Sequence, residues 1–337
     1  MTDLQLRTLA LTDEENTEVD ALLHTLSDVP VDSTVALLHR TRLAAQELPL
    51  RIRTELTGMR LYDSPRALVV TGFRIDDDRI GPTPVTRPTP APERTRNQEL
   101  LLLLHAALLG EAFAWATQQN GRLVHDVLPI PGEETEQMGS SSKAELLWHT
   151  EDAFHPLRCD YVGLLCLRNH QRAVTTLGWP DLSRLAPGDR ATLLEPRYLI
   201  RPDTSHTPEQ NAAGAQSPER FSAIAEMDDA PERVAVLFGD PDDPYLRIDP
   251  AYMSPAPGDA AARRAYDAIA ALIEDALQHV ALAAGSMLFV DNYQAVHGRK
   301  PFAAAYDGRD RWLKRVNITR DLRRSRSARQ SATSLLV

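Results

Sequence analysis

Apolar and polar positions follow two different rhythms along the chain. From Thr12 to Leu26 the apolar residues Val19, Leu22, Leu23 and Leu26 fall on one helical stripe. Thr12 can cap that helix, and Glu14 and Glu15 suit its positive N-terminal end. Residues 98–119 are apolar on nearly every side, which predicts a packed interior helix ended by Asn120-Gly121. A third helix is predicted over 260–280, with Tyr266, Ile269, Ile273, Leu277 and Val280 on one side. The run 66–75 reads as a buried strand closed by the acidic turn Asp76–Asp78. Further short β-rich runs fall at 122–130, 145–153, 160–168, 196–201, 233–239, 245–249, 286–291 and 312–319.

Between these runs lie two aperiodic stretches. Pro82 to Pro92 is too rich in proline for regular structure. Residues 205–230, rich in Pro, Ser, Ala, Gln and Glu, read as a lid or a flexible loop. Residues 1–60 form a helical N-terminal region, and 320–337 a basic tail whose Arg320–Arg329 run reads as a solvated terminal helix. Strands outside a βαβ rhythm, with a few helices, predict a mainly β (α+β) fold with helices packed outside a sandwich or jelly roll. The whole of 1–337 is expected to be a single domain.

Composition narrows the functional classes. The 337 residues are 43% hydrophobic and 25% charged, with a net charge of −10. That balance argues against a general nucleic-acid or anionic-membrane binder. No basic start followed by an apolar stretch opens the chain, and Leu100–Ala116 is interrupted by His105 and Glu111. A soluble, cytoplasmic protein is expected. Cys159 and Cys166 are too few for a disulfide framework and read as free thiols.

The chemistry concentrates in LLWHTEDAF, residues 146–154. On a strand, His149 and Glu151 project from one face. An imidazole and a carboxylate so placed are two of the three ligands of a facial triad, which leaves open positions on iron(II). The third candidate is His297, which follows the buried strand Met287–Val290 in GSMLFVDNYQAVHGRKPF. Farther on, RDRWLKRVNITRD places Arg311, Leu313, Arg315 and Asn317 on one strand face. Paired guanidinium groups there suit a dicarboxylate.

WHTEDAF, DYVGLLCLRN, DNYQAVHGR and DGRDRWLKRVNITRDL resemble the clavaminate-synthase-like 2-oxoglutarate oxygenases over residues 60–326. The nearest branch is the free-standing hydroxylases of arginine and arginine-like amino acids in antibiotic pathways. The resemblance implies a double-stranded β-helix with flanking helices. It implies that His149, Glu151 and His297 bind Fe(II), with O2 as oxidant. It implies that Arg311, helped by a Thr of the Thr175–Thr176 pair, holds the distal carboxylate of 2-oxoglutarate. The substrate would meet Gln118 at its α-amine, Arg315 at its α-carboxylate, Asp203 and Asp249 at a cationic side chain, and Glu151 beside the metal. Relatives acting on arginine can carry an acid where this chain has Ala251, so arginine and a cyclic guanidine such as enduracididine are both compatible. The β-carbon is the implied target. Halogenation is disfavoured because Glu151 is present.

Other readings remain open. Asp203 and Asp249 each adjoin a proline and read from spacing as turn residues. Arg311 and Arg315 could pair with Asp307 or Asp310. His125, His155 and Cys159 read as packing or surface residues, and His170 and His206 as solvated or lid residues. The same ligands could serve a desaturase or cyclase, a non-catalytic metal- or ligand-binding jelly roll, or a zinc hydrolase. The oligomeric state is not legible.

Overall fold

The capped start predicted at Thr12 is the first helix, α1 (Asp13–Thr25), seen here in a computed structural model that describes residues 5–29, 31, 34–87, 93–211 and 218–337. The Thr12 hydroxyl accepts from the Glu15 N–H while the Glu15 carboxylate accepts from the Thr12 N–H. Two further helices, α2 (Val35–Ala45) and α3 (Leu50–Tyr62), follow. The N-terminal region nevertheless begins with a strand. β1 (Leu6–Ala10) pairs in parallel with β2 (Ala67–Thr71), a partner some sixty positions away that no local pattern announces. The acidic turn after β2 is a capped short helix, α4 (Asp77–Ile80), rather than a simple reversal.

The apolar helix predicted over 98–119 is α5 (Arg96–Ala106), and Leu100 to Leu104 are all buried in it. It ends well before Asn120. At Gly110 the backbone passes so close to another strand that a Cβ would lie 2.2 Å from the Thr319 carbonyl oxygen. The remaining apolar residues enter β3 (Glu111–Phe113), because a run with no period suits helix and strand alike.

Two sheets follow. β4 (His125–Val127), β6 (Tyr161–Arg168), β14 (Met287–Asp291) and β16 (Trp312–Thr319) join the first three strands in the order β1-β2-β14-β6-β16-β3, with β4 also on β16. The second sheet runs β13-β7-β15-β5, from β5 (Leu146–His149), β7 (Thr175–Gly178), β13 (Gln278–Val280) and β15 (Val296–Arg299). Smaller pairings unite β8 (Tyr198–Ile200), β9 (Arg233–Val234) and β12 (Met253–Pro255), and β10 (Leu237–Gly239) with β11 (Pro244–Leu246). One face of the large sheet packs Leu165, Phe289, Val316 and Ile318 against α5 and the N-terminal helices. Its other face sends Leu164, Leu288, Val290 and Leu313 into a core shared with Leu177 of β7. This is a mainly β jelly roll with flanking helices.

The helix expected over 260–280 is α8 (Ala260–Asp275), and the chain then turns into β13. It packs on α6 (Pro187–Leu193). Of the stretch 205–230, residues 212–217 lie outside the described residues, and the rest is not a uniform loop: 3-10 turns at Thr204–His206 and Pro208–Gln210 precede α7 (Pro218–Asp229). Of the proline-rich stretch, residues 88–92 lie outside the described residues and 82–87 are irregular. The basic run Arg320–Arg329 carries a 3-10 turn, Leu322–Ser325, rather than a longer helix; Arg320, Arg323, Arg324 and Arg326 are exposed, while Arg329 and the end of the tail are not. Leu335 and Val337 are buried, the Val337 N–H donates to the Ala114 carbonyl, and Arg329 donates to the Ala332 and Ser334 carbonyls.

A buried charge network ties α5 to β16 and β4. Lys314 Nζ lies 2.7 Å from both Glu99 Oε1 and Asp126 Oδ1, and Arg122 reaches the same two acids at 2.9 and 2.6 Å. Two cations meet two anions, so the desolvation of each is offset by geometry rather than left bare.

Gly285, which leads into β14, has φ +76°, and a Cβ there would lie 1.9 Å from the Phe73 carbonyl oxygen. Gly285→Ala is expected to cost at least about 2 kcal/mol, read by denaturant unfolding. Gly188→Ala, in α6 with open space around it, should be neutral or mildly stabilising.

Candidate active site

His149 ends β5 and His297 lies on β15, and the two are direct partners in the antiparallel ladder. Cross-strand pairing therefore brings the imidazoles to one face, with ring centroids 4.7 Å apart. Glu151 reaches them by a different route from the one its spacing suggests. The strand stops at His149, and Glu151 sits in the turn that follows, next to Asp152 at φ +49°. Asparagine and aspartate tolerate that left-handed conformation. Asn292, just after β14, holds the turn. Its Oδ1 accepts from the Glu151 N–H at 2.6 Å, and its Nδ2 donates to the Glu151 and Cys159 carbonyls at 3.0 and 2.9 Å.

The three donor atoms lie within 4.8 Å of one another. Glu151 Oε2 is 3.1 Å from His297 Nε2 and 3.9 Å from His149 Nε2. His149 Nδ1 donates to the Leu147 carbonyl at 2.8 Å, which leaves Nε2 as the ring nitrogen that faces the other donors. A preset tautomer, a second imidazole and a carboxylate on one side fit a divalent metal of the iron(II) class. Burial opposes charge on Glu151, but the Arg315 guanidinium and both histidines hold its carboxyl well below the usual range. Burial likewise opposes charge on His149, and the Glu151 and Asp249 carboxylates outweigh it, pushing the imidazole up to about 9.

On one flank lies positive charge without a carboxylate partner. Arg311, just ahead of β16, is buried, and among the described residues its hydrogen bond goes to Thr175 Oγ1 at 3.4 Å. Burial pulls its guanidinium down to about 10. Arg299 nearby spends its donors on the Ser141 hydroxyl and on the Ser142, Ala144 and Lys300 carbonyls. An anion would relieve this arrangement. Thr176 alternates to the other face of β7, against Gly298. Asp307 and Asp310 do not pair with Arg311 or Arg315. Asp310 instead accepts the Ala305 and Tyr306 N–H groups.

The other flank is acidic. Asp249 Oδ1 accepts from the Ala251 and Tyr252 N–H groups, and Asp203 Oδ1 accepts from the Ser205 N–H. Both are turn residues, as their proline neighbours suggest, and both also line the cavity that holds the metal donors. Burial pushes the Asp249 carboxyl up to about 6. Ala251 and Tyr252 share that wall. Between the flanks, Arg315 meets Glu151 through Nη1 and Gln118 Oε1 through Nη2 at 3.0 Å.

His206 is not solvated. It is fully buried, 2.7 Å from Thr117 Oγ1 and 3.1 Å from Asp152 Oδ1. Asp152 also accepts from Trp115, Asn317 and Gln118. This network docks the 204–206 turn on the floor of the cavity. Sequence reading missed Asp152 and Asn292, whose neighbours in the sequence carry no period that would single them out. Cys159 and Cys166 are free and buried, and burial pushes both thiols up, so neither is a ready nucleophile.

A two-histidine, one-carboxylate cluster on a jelly roll, beside a buried guanidinium without a carboxylate partner among the described residues, is the arrangement of a metal-dependent oxygenase. The profile of the family described as taurine catabolism dioxygenase TauD, TfdA family, matches residues 105–317. The chain belongs to this family, and the likeness to clavaminate-synthase-like oxygenases seen in its motifs holds. It is 46% identical to enduracididine beta-hydroxylase of Streptomyces hygroscopicus, over 98% of this chain and 99% of that one. It is 42% identical to L-ornithine/L-arginine 3-hydroxylase of Catenulispora acidiphila, over 95% and 96%. The crystal structure of the non-heme iron oxygenase OrfP in complex with Fe, succinate and (3S)-hydroxy-L-Arg superposes with a TM-score of 0.93 at 44% identity, covering 98% of this chain and 99% of that one.

Asn292→Ala removes partners from a buried N–H and two buried carbonyls around Glu151. Each unsatisfied group costs about 1–3 kcal/mol. Iron(II) affinity, measured against a chromophoric chelator, should fall at least about tenfold.

Proposed function

We propose that the protein hydroxylates a free, cationic α-amino acid of the arginine class at its β-carbon, using iron(II), 2-oxoglutarate and O2. The observation that carries this reading is the polarity of the cavity. The donors His149, Glu151 and His297 share one cavity with Arg311, which lacks a carboxylate partner among the described residues, and with Asp203 and Asp249, whose Oδ1 atoms accept from turn N–H groups while Asp203 Oδ2 lies 3.9 Å from His206 Nε2. Iron(II), which His149, Glu151 and His297 would hold, would supply oxygen activation, with one oxygen atom ending in succinate as 2-oxoglutarate loses carbon dioxide and the other inserted into a substrate C–H bond.

The residues of the chain supply placement and charge. Arg311 would take the distal carboxylate of 2-oxoglutarate, with the Thr175 hydroxyl beside it. Thr176 faces the other way and would act only through Gly298. Arg315 and Gln118 would hold the α-carboxylate and α-amine of the amino acid close to Glu151. Asp203 and Asp249 would face its cationic end, and Ala251 leaves space on that wall where a third acid would stand. The activities named for the two relatives, both hydroxylases at the β-carbon or 3-position, support the regiochemistry. We read residues 1–337 as one oxygenase domain. Among the described residues no helix is long and apolar enough to cross a membrane, and the free thiols suit a reducing cytoplasm.

Mass spectrometry of reactions with arginine, homoarginine, ornithine and cyclic guanidines should show a gain of one oxygen with stoichiometric succinate. A loss of two hydrogens instead would mark a desaturase, and retention of activity with zinc in place of iron would sink the oxygenase reading. Removal of iron with a chelator should abolish turnover, and added iron(II) should restore it.

Asp249→Asn should raise the KM for L-arginine at least about tenfold, since a charged hydrogen bond contributes roughly 1.5–3 kcal/mol, and leave the KM for 2-oxoglutarate within about twofold. Arg311→Leu should do the reverse. Equal effects on both substrates would count against the division of the cavity.

A further inference from the structure

His125 opens β4 and lies directly opposite Arg315 in the β4–β16 ladder. It is 3% exposed and lines the cavity. Its Nδ1 stands 2.9 Å from Arg315 Nη2. A guanidinium has no acceptor, so this contact is Arg315 donating to an unprotonated Nδ1. The ring is neutral: burial, and then the positive charges of Arg315 and Arg122, hold it well below the ordinary histidine range. Its proton therefore sits on Nε2, the nitrogen that does not face Arg315.

The other hydrogen of Arg315 Nη2 goes to Gln118 Oε1 at 3.0 Å. With both hydrogens of that nitrogen engaged, the plane of the guanidinium is set. Nη1 lies against Glu151, and Nε is buried with no hydrogen-bond partner. Without an acceptor at His125, the strongest remaining attraction on Arg315 is the Glu151 carboxylate, a metal donor. The guanidinium would then lean toward the metal and away from the amino-acid site.

The mounting of His125 is rigid for a reason already described. Asp126 and Arg122, one residue after it and three before, both belong to the buried four-charge network. Gln119 adds two hydrogen bonds to the Asp126 backbone, accepting from its N–H and donating to its carbonyl, each at 2.9 Å. An imidazole on such a base is a stiff acceptor aimed at one nitrogen.

We infer that His125 is a positioning residue for the amino-acid substrate, a neutral acceptor that holds Arg315 in the orientation that receives the α-carboxylate. The inference rests on the role proposed above for Arg315. It extends that role to a side chain whose part is played through Arg315.

The test is anaerobic calorimetric titration of L-arginine, and separately of 2-oxoglutarate, into the iron(II)-loaded full chain and its His125→Leu, His125→Asn and Arg315→Gln variants. Asparagine can present its carbonyl oxygen close to where Nδ1 stands, and leucine keeps bulk without an acceptor. The expected result is a loss of about tenfold or more in L-arginine affinity for His125→Leu. Affinity for 2-oxoglutarate should stay within about twofold, and His125→Asn should recover most of the loss. Unchanged L-arginine affinity in His125→Leu overturns the inference, as does an equal loss for both ligands or an asparagine variant no better than leucine. Should Arg315→Gln bind L-arginine normally, the role of Arg315 itself falls, and the inference with it. Should Arg315→Gln bind poorly while His125→Leu is silent, only the part assigned to His125 falls.

Discussion

Register between β5 and β15 is the constraint on which the site depends. Side chains alternate across a strand, so slipping the pairing by one residue would send an imidazole to the opposite face. Gly298, next to His297, permits the close approach that keeps this register. A Cβ there would meet the Leu146 carbonyl oxygen at 2.6 Å and the Thr176 hydroxyl at 2.8 Å. The third donor comes from outside the ladder, on a turn with a left-handed aspartate, and Asn292 anchors that turn to the end of β14. The metal site is thus assembled from two strands and one clamped reversal.

Around that point the cavity sorts charge. Among the described residues Arg311 meets the Thr175 hydroxyl and no carboxylate. Asp203 and Asp249 line the same cavity, as does Arg315, which already meets Glu151. A dianion suits the Arg311 side whichever carboxylate leads, whereas a cationic amino acid is oriented by charge: reversed, its cationic end would meet Arg315 in a low-dielectric space, where the cost is largest.

Much of this was legible in the sequence because it is local. Thr12 and Glu15 write their own helix start, and HTE with a distant HGR names the three donors. Strand alternation was enough to place Arg315 and Asn317 on one face. The parts that were not legible depend on distant partners. β1 owes its existence to β2, and VHGR becomes a strand only between β5 and β7. The apolar run from Leu100 onward carries no period, so its helix end is set by Thr319 meeting Gly110. Glu151 reached the predicted place by a turn, not by the strand that suggested it. His206 looked like a loop residue because nothing nearby reveals Asp152 and Thr117 waiting for it.

The network of Glu99, Arg122, Asp126 and Lys314 bears on how this sequence can drift. Losing any one member strands its opposite charge in the interior, at a cost of several kcal/mol, whereas exchanging the set for apolar residues can be nearly neutral. Descendants of this chain should therefore retain all four positions or abandon them together. Intermediates with three would be rare, and their scarcity would mark the segment that carries His125 as a slow-changing part of an otherwise adaptable cavity.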